Sequence, residues 1–326
     1  MPSPLAIDYA ASRSKPTPGT PCSTTRAATV AATLAFVLIM AFASPPVLAD
    51  TLVRVDTDAG SFVLELFEES APGTVANFLS YVDDLAYENT LVHRSVANFV
   101  IQGGGYVFNP ENGGFDSIPR GAPIANEYDR SNVRGTIAMA KMAGDPNSAT
   151  SEWFISVADN SANLNNQNGG FTVFGEVIGE GMAVVDGINS LRTIGVNGTS
   201  FTEIPYLTLT GTTTSDADWV QLSMRSLRTS SKLLGGKLAV ALDAGELGRA
   251  VLDFAITADS PAPVITLIAN SVLLIDTTVD KMASFDSATG LLLIPELEID
   301  GEVLYRNLRF ALTDASTYSF TLQSFD

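Results

Sequence analysis

Apolar residues recur at alternate positions along Leu52-Val53-Arg54-Val55 and again at Phe62, Leu64 and Leu66, with Asp58-Ala59-Gly60 between the two runs. Side chains of a strand point alternately to opposite faces, so the pattern predicts a β-hairpin with one buried face. Past Pro72 the period changes. Val75, Phe78, Leu79 and Val82 recur at helical spacing, and proline suits the first helical turn because its missing N–H has no partner to lose there. Met182, Val185 and Ile188 predict a second helix. From about residue 216 the chain reads as short β-prone runs at 219–224, 238–242, 250–254, 265–275, 291–299, 303–312 and 318–322, punctuated by Gly, Pro and Asp turns. Several are apolar on one face only, as expected of a small all-β module, sandwich or barrel.

The first 49 residues stand apart. Arg13, Lys15 and Arg26 precede a mainly apolar run from Val30 to Ala43, and Val47-Leu48-Ala49 supplies small residues at the spacing signal peptidase prefers. The expectation is a secretory signal at 1–49, cleaved after Ala49, with the rest of the chain periplasmic or secreted. An uncleaved anchor is the poorer reading, because this run falls short of the roughly 20 residues that cross a bilayer. The expected layout is then one β region over 50–193, a Gly/Thr/Ser-rich linker over 194–215 and the all-β module over 216–326.

Charge and cysteine content narrow the chemistry. Cys22 lies ahead of the apolar run, so residues 50–326 contain no cysteine and one histidine, His93. Disulfide scaffolds and thiolate metal sites are excluded there, and the sequence proposes no metal or cofactor. The whole chain carries a formal charge of −18, and removing three bases and one acid with the first 49 residues leaves −20. Nucleic acid and anionic membrane surfaces are repelled by that balance, so neither is expected as a partner, nor is stable membrane insertion once the signal is gone.

Candidate chemistry concentrates in Val92-His93-Arg94-Ser95-Val96-Ala97-Asn98-Phe99-Val100-Ile101-Gln102-Gly103-Gly104-Gly105. Strand alternation and a short bend bring an arginine, an aliphatic side chain and an amide onto one patch. Covalent attack needs a nucleophile beside its base, and Ser95 is a poor candidate, since strand neighbours face opposite ways. Non-covalent catalysis fits these residue types better. The glycine run is no phosphate loop, because no Lys-Ser/Thr follows it, and the Asn-rich stretch from Asn163 lacks the acidic ligands of a calcium loop.

These residues resemble the core motif of the cyclophilins, the peptidyl-prolyl cis-trans isomerases. The likeness runs in order through Gly60-Ser61-Phe62-Val63-Leu64-Glu65-Leu66-Phe67 and Ala71-Pro72-Gly73-Thr74-Val75-Ala76-Asn77-Phe78-Leu79. It continues in Arg134-Gly135-Thr136-Ile137-Ala138-Met139-Ala140, Ser148-Ala149-Thr150-Ser151-Glu152-Trp153-Phe154-Ile155 and Asn168-Gly169-Gly170-Phe171-Thr172-Val173-Phe174-Gly175. It implies a mainly β fold, a closed β-barrel capped by two helices, here followed by a small all-β C-terminal domain.

The resemblance also implies roles. Arg94 would donate to the prolyl nitrogen in the twisted state, and Gln102 would hold a substrate carbonyl or brace Arg94. Phe99, Val100, Phe154 and Leu164 would form the proline pocket, with Phe171 and Glu152 completing the substrate contacts. Main-chain groups at Ala140 and Lys141 would pair with an extended peptide, and His93 would pack beside Arg94. Phenylalanines and leucines of β-proteins are more often plain core, and His93 is more often a structural histidine than a catalytic one. Glu152 stands where the family usually has glutamine, so a carboxylate facing Arg94 is expected, and Asn163 replaces a tryptophan that helps many eukaryotic members bind cyclosporin. The expected function is an exported isomerase acting on proline-containing polypeptides to assist folding. The alternative is a non-catalytic binding or chaperone module of the cell envelope. The 216–326 region shows no catalytic constellation.

Overall fold

A computed structural model describes residues 51–196, 201–209, 215–227, 231–259, 261–299 and 302–326. The segment 1–49, read as a secretory signal, and parts of the 194–215 linker lie outside the described residues.

The predicted hairpin forms: β1 (Leu52–Thr57) pairs antiparallel with β2 (Gly60–Leu66). The helix predicted after Pro72 is α1 (Pro72–Asp83), which buries Val75, Phe78, Leu79 and Val82 as its spacing required. Its first backbone N–H groups, at Gly73 and Thr74, donate to the Glu127 carboxylate at 3.0 and 2.7 Å. Strands β3 (Thr90–Leu91), β4 (Arg94–Val96), β5 (Val100–Gly103), β6 (Tyr106–Asn109), β7 (Gly114–Ser117), β8 (Thr136–Met139) and β9 (Trp153–Ser156) follow. After them come α2 (Ser161–Leu164), β10 (Val173–Ile178), α3 (Gly181–Asn189), the short ladder of β11 (Thr193–Ile194) and β12 (Ile204–Pro205), and β13 (Gln221–Leu227). The single-turn α2 adds a third helix to the two expected; a segment this short has no period to read.

Sheet order β4-β5-β9-β8-β10-β2-β1-β13-β3 closes into a barrel through the chain itself. β3 pairs with β13 while β4 pairs with β5, so β3 and β4 are halves of one strand bent at Val92-His93. The Val92 N–H donates to Val220 and the His93 N–H to Gln102, each at 3.0 Å. Eight strands result, filled by Leu64, Leu66, Ile101, Ile137, Ile155 and Met224 among others, with Phe78 of α1 against Phe174 at 4.9 Å. The closing strand β13 includes much of the run assigned from sequence to the C-terminal region. It pairs with β1 from Leu52↔Leu227 to Thr57↔Leu222. Alternation showed that these residues form a strand; it carries no information about which sheet receives it.

The remaining strands are β14 (Ser231–Leu234), β15 (Lys237–Asp243), β16 (Arg249–Ala258), β17 (Val264–Leu267), β18 (Leu273–Ile275), β19 (Ala283–Asp286), β20 (Leu291–Ile299), β21 (Glu302–Asp314) and β22 (Ser319–Ser324). The run at 265–275 is therefore two strands, parted by a 3-10 turn at Ala269–Ser271. Pairings β14-β15-β16-β17-β22-β21-β20 return to β14 and close a seven-stranded barrel around Val240, Leu252, Phe254, Leu292, Ile294 and Phe310. Outward-facing residues of the two barrels meet in a further apolar cluster, with Leu52, Val63 and Ile178 from the first against Ala239, Ala241 and Val251 from the second.

Candidate active site

Because β4 and β5 are joined by a tight bend with Asn98 at φ +56°, Arg94 and Gln102 sit opposite each other across the ladder, and Phe154 of β9 lies opposite Gln102 on the other side. These three strands form one wall of a cavity of about 260 Å³, lined by Arg94, Phe99, Val100, Gln102, Ala140 and Lys141 together with Phe154, Leu164, Gln167 and Phe171. Nine of the eleven residues expected at the site are among them. Val100, Phe154 and Leu164 are buried with Val173 behind them, and Phe171 meets Phe154 edge-on at 5.6 Å. The result is an apolar cup with a cation on its rim: the Arg94 guanidinium carbon lies 6.0 Å from the centre of the Phe99 ring.

Arg94 is held by two acceptors. Its Nη1 donates to Gln102 Oε1 at 3.3 Å, and its Nε lies 3.7 Å from Glu203 Oε2. Among the described residues Nη2 makes no further hydrogen bond. Gln102 Nε2 donates in turn to Glu152 Oε2 at 2.9 Å. The same oxygen lies 3.3 Å from His93 Nε2, and the other oxygen lies 3.5 Å from Arg120. Burial pushes the Glu152 carboxyl upward, but the hydrogen bond and charge of His93, the Gln102 amide and Arg120 together outweigh it and hold its pKa below the usual value. An anionic Glu152 can only accept, which fixes Gln102 with its NH₂ toward Glu152 and its carbonyl toward Arg94.

Two expectations are corrected by this geometry. His93 does not pack beside Arg94: it is buried, on the opposite side of the strand, edge-on to Tyr106 at 4.9 Å. Adjacent strand residues face opposite ways, so it reaches Arg94 only through Glu152 and Gln102. Glu152 likewise does not face Arg94, because Gln102 stands between them. Lys141 is on the cavity wall, but its ammonium is occupied by the side chain of Asn126 at 3.1 Å and the carbonyls of Asn168 and Gly170 at 2.9 and 2.5 Å. Burial lowers its pKa. The Ala140 N–H donates to the Glu152 carbonyl at 2.9 Å, so a peptide adding along this edge would use the Ala140 C=O. Asn163 is exposed beside Gln167.

The family model described as cyclophilin type peptidyl-prolyl cis-trans isomerase/CLD matches residues 52–205. A peptidyl-prolyl cis-trans isomerase of Acinetobacter baylyi is 42% identical over 167 residues, covering 50% of this chain and 83% of that protein. The chain belongs to the cyclophilin-type peptidyl-prolyl cis-trans isomerases. Peptidyl-prolyl cis-trans isomerase B of Escherichia coli is 40% identical over 148 residues, covering 44% of this chain and 86% of its own. A cyclophilin-type isomerase structure from Cryptosporidium parvum matches 54% of this chain and 97% of that one, at 23% identity and a TM-score of 0.40. The family match ends before β13, so the strand that closes this cyclophilin barrel lies beyond it.

Sequence reasoning missed Glu203, Gln167 and Arg120. Glu203 sits in the segment read as a linker, where β12 is anchored by fully buried Ile204 and the Glu203 carbonyl accepts the Ser95 N–H at 2.8 Å. No periodic or motif signal surrounds it. Only the fold brings it to Arg94.

Proposed function

We propose that this cyclophilin is exported and accelerates rotation about X-Pro bonds of protein substrates outside the cytoplasm, aiding their folding. The observation that carries the catalytic part is the Arg94 guanidinium on the rim of the Phe99, Phe154 and Leu164 cup. Uncatalysed rotation crosses a barrier of about 18–20 kcal/mol, because it breaks amide resonance. In the twisted state the prolyl nitrogen regains a lone pair, so a donor aimed at it binds the transition state and not the planar ground state. Arg94 supplies that donor, with Gln102 and Glu203 holding its other edges. The cup seats the proline ring and excludes water that would favour the charge-separated planar amide.

The non-catalytic alternative depended on Glu152 drawing Arg94 away from substrate. Its carboxylate is engaged by Gln102, His93 and Arg120 instead, which supports the catalytic reading. Export rests on the apolar run and small residues before Asp50, and protein recovered outside the cytoplasm is expected to begin at Asp50. The catalytic test is the cis-to-trans rate of a short Ala-Pro-Phe peptide with the full chain and with Arg94→Ala. Loss of a donor used only in the transition state is worth about 10²–10³ in rate. An Arg94→Ala enzyme as fast as its parent overturns the mechanism.

A further inference from the structure

The second barrel contains a cavity of its own. At the end where β20 leads into β21 and β22 finishes, a space of about 300 Å³ opens between the strands. Leu238, Ile265, Leu297, Leu308, Phe310 and Leu322 form its walls, and among the described residues no charged side chain lines it. Among the described residues its only polar side-chain atom is the Tyr305 hydroxyl. At the lip, Tyr305 and Phe325 stand edge to face at 5.2 Å. Phe325 is held there because Asp326 exchanges two backbone hydrogen bonds with Arg306, at 3.1 and 2.8 Å, and accepts the Asn307 amide at 2.7 Å. Ile256, Tyr305 and Phe325, all lining this cavity, are 44%, 39% and 54% exposed.

We propose that this barrel mouth is a binding site for a small neutral apolar molecule. Large apolar side chains left in contact with water around a concavity mark a surface whose burial is deferred to a ligand. The lining fixes the class of that ligand. Water finds no set of polar partners in such a space, and an engineered cavity of about 150 Å³ with similar walls takes benzene; the volume here suits two rings or a medium-length acyl chain. Among the described residues no Lys or Arg lines the space, and this, with the chain's formal charge of −18, disfavours an anionic head group. Three cations near it are paired: Arg306 and Lys281 with Glu296, and Lys232 with Asp83 and Glu298. A neutral ligand with at most one hydrogen-bonding group, placed toward Tyr305, matches what is present. The site is independent of the isomerase cavity.

The test is fluorescence titration of the full chain with N-phenyl-1-naphthylamine, a neutral apolar probe, followed by displacement with dodecanol and with dodecanoate. One saturable site per chain is expected, with dodecanol displacing the probe at least about tenfold more effectively than dodecanoate. Leu322→Trp puts an indole into the space and should weaken binding about tenfold or more. Ile256→Asp, at a position already 44% exposed, keeps the fold and should weaken binding about tenfold or more. Melting curves check that both variants are folded. Absence of saturable binding, equal affinity in parent and Ile256→Asp, or displacement by an aromatic-rich peptide but not by dodecanol each overturns the proposal.

Discussion

Arg94 shows how little of a catalytic side chain's setting is carried by strong interactions. Its pair with Glu203 spans 3.7 Å between side chains each 40% exposed, and exposed pairs contribute only about 0.2–1 kcal/mol. Glu203→Gln is therefore expected to change kcat/KM by no more than about fivefold, with the difference vanishing in molar salt, whereas Arg94→Ala removes two to three orders of magnitude at any salt concentration. Glu152 acts from further back. Its pKa lies below the ordinary 4.5, so the stability its ionisation confers is fully present above that value and is lost as pH falls through the lowered one. Melting temperatures of parent and Glu152→Gln should differ most at neutral pH and converge in acid; a gap that widens on acidification contradicts the assigned sign. Most of the cavity residues were legible because they lie within motif blocks, with Arg94, Val100, Gln102 and Phe154 on adjoining strands. Glu203 was not, since chain order says nothing about which carboxylate a linker lays beside an arginine.

At the scale of elements, the Gln102 to Gly105 stretch is better understood from what lies against it than from its flexibility. Pairing of β5 with β9 lays Trp153 and Glu152 over these glycines. A Cβ on Gly105 would come within 2.8 Å of Glu152 Cγ, and one on Gly104 within 2.7 Å of the Ser151 carbonyl oxygen. Gly104 also has φ +79°, where any L side chain is strained. Gly104→Ala is expected to destabilise the chain by about 1–3 kcal/mol as an overpacked site, measured by denaturant midpoint. Gly105→Ala should lower activity more than stability, because it displaces the carboxylate that orients Gln102. The sequence told us that the backbone turns here; it could not show the indole and carboxylate for which the space is kept. α1 and α3 were readable from period alone, because each buries one face against a single core, and the hairpin because Val53, Val55, Phe62, Leu64 and Leu66 keep a period of two toward the barrel interior. β13 was misassigned for the opposite reason: its partner β1 lies some 170 residues earlier in the chain.

For the whole molecule, β13 is both the closing strand of the cyclophilin barrel and the one before β14, and it carries a charge network that ties the two barrels together. Arg225 of β13 donates to both oxygens of Asp253 in β16, at 3.2 and 2.9 Å, and to Asp56 of β1 at 2.6 Å. Arg54 joins from β1, donating to Asp56 at 2.8 Å and to the Ser271 carbonyl of the second barrel at 2.6 Å. Arg54, Arg225 and Asp253 are all buried. Alternation could mark Arg54 only as a polar position; its burial required the second barrel to be there. Buried pairs add little net stability when formed, but breaking one strands a charge at about 3–5 kcal/mol. The parent should therefore unfold in one calorimetric transition. Asp253→Ala leaves Arg225 with Asp56 alone and is expected to separate the barrels into two transitions, the lower belonging to the second barrel. Replacing the pair with apolar residues, Arg225→Met with Asp253→Leu, removes the stranded charge and should recover much of the loss. A single transition at the parental temperature in Asp253→Ala would mean that the apolar cluster of Leu52, Val63 and Val251 couples the barrels without help from these charges.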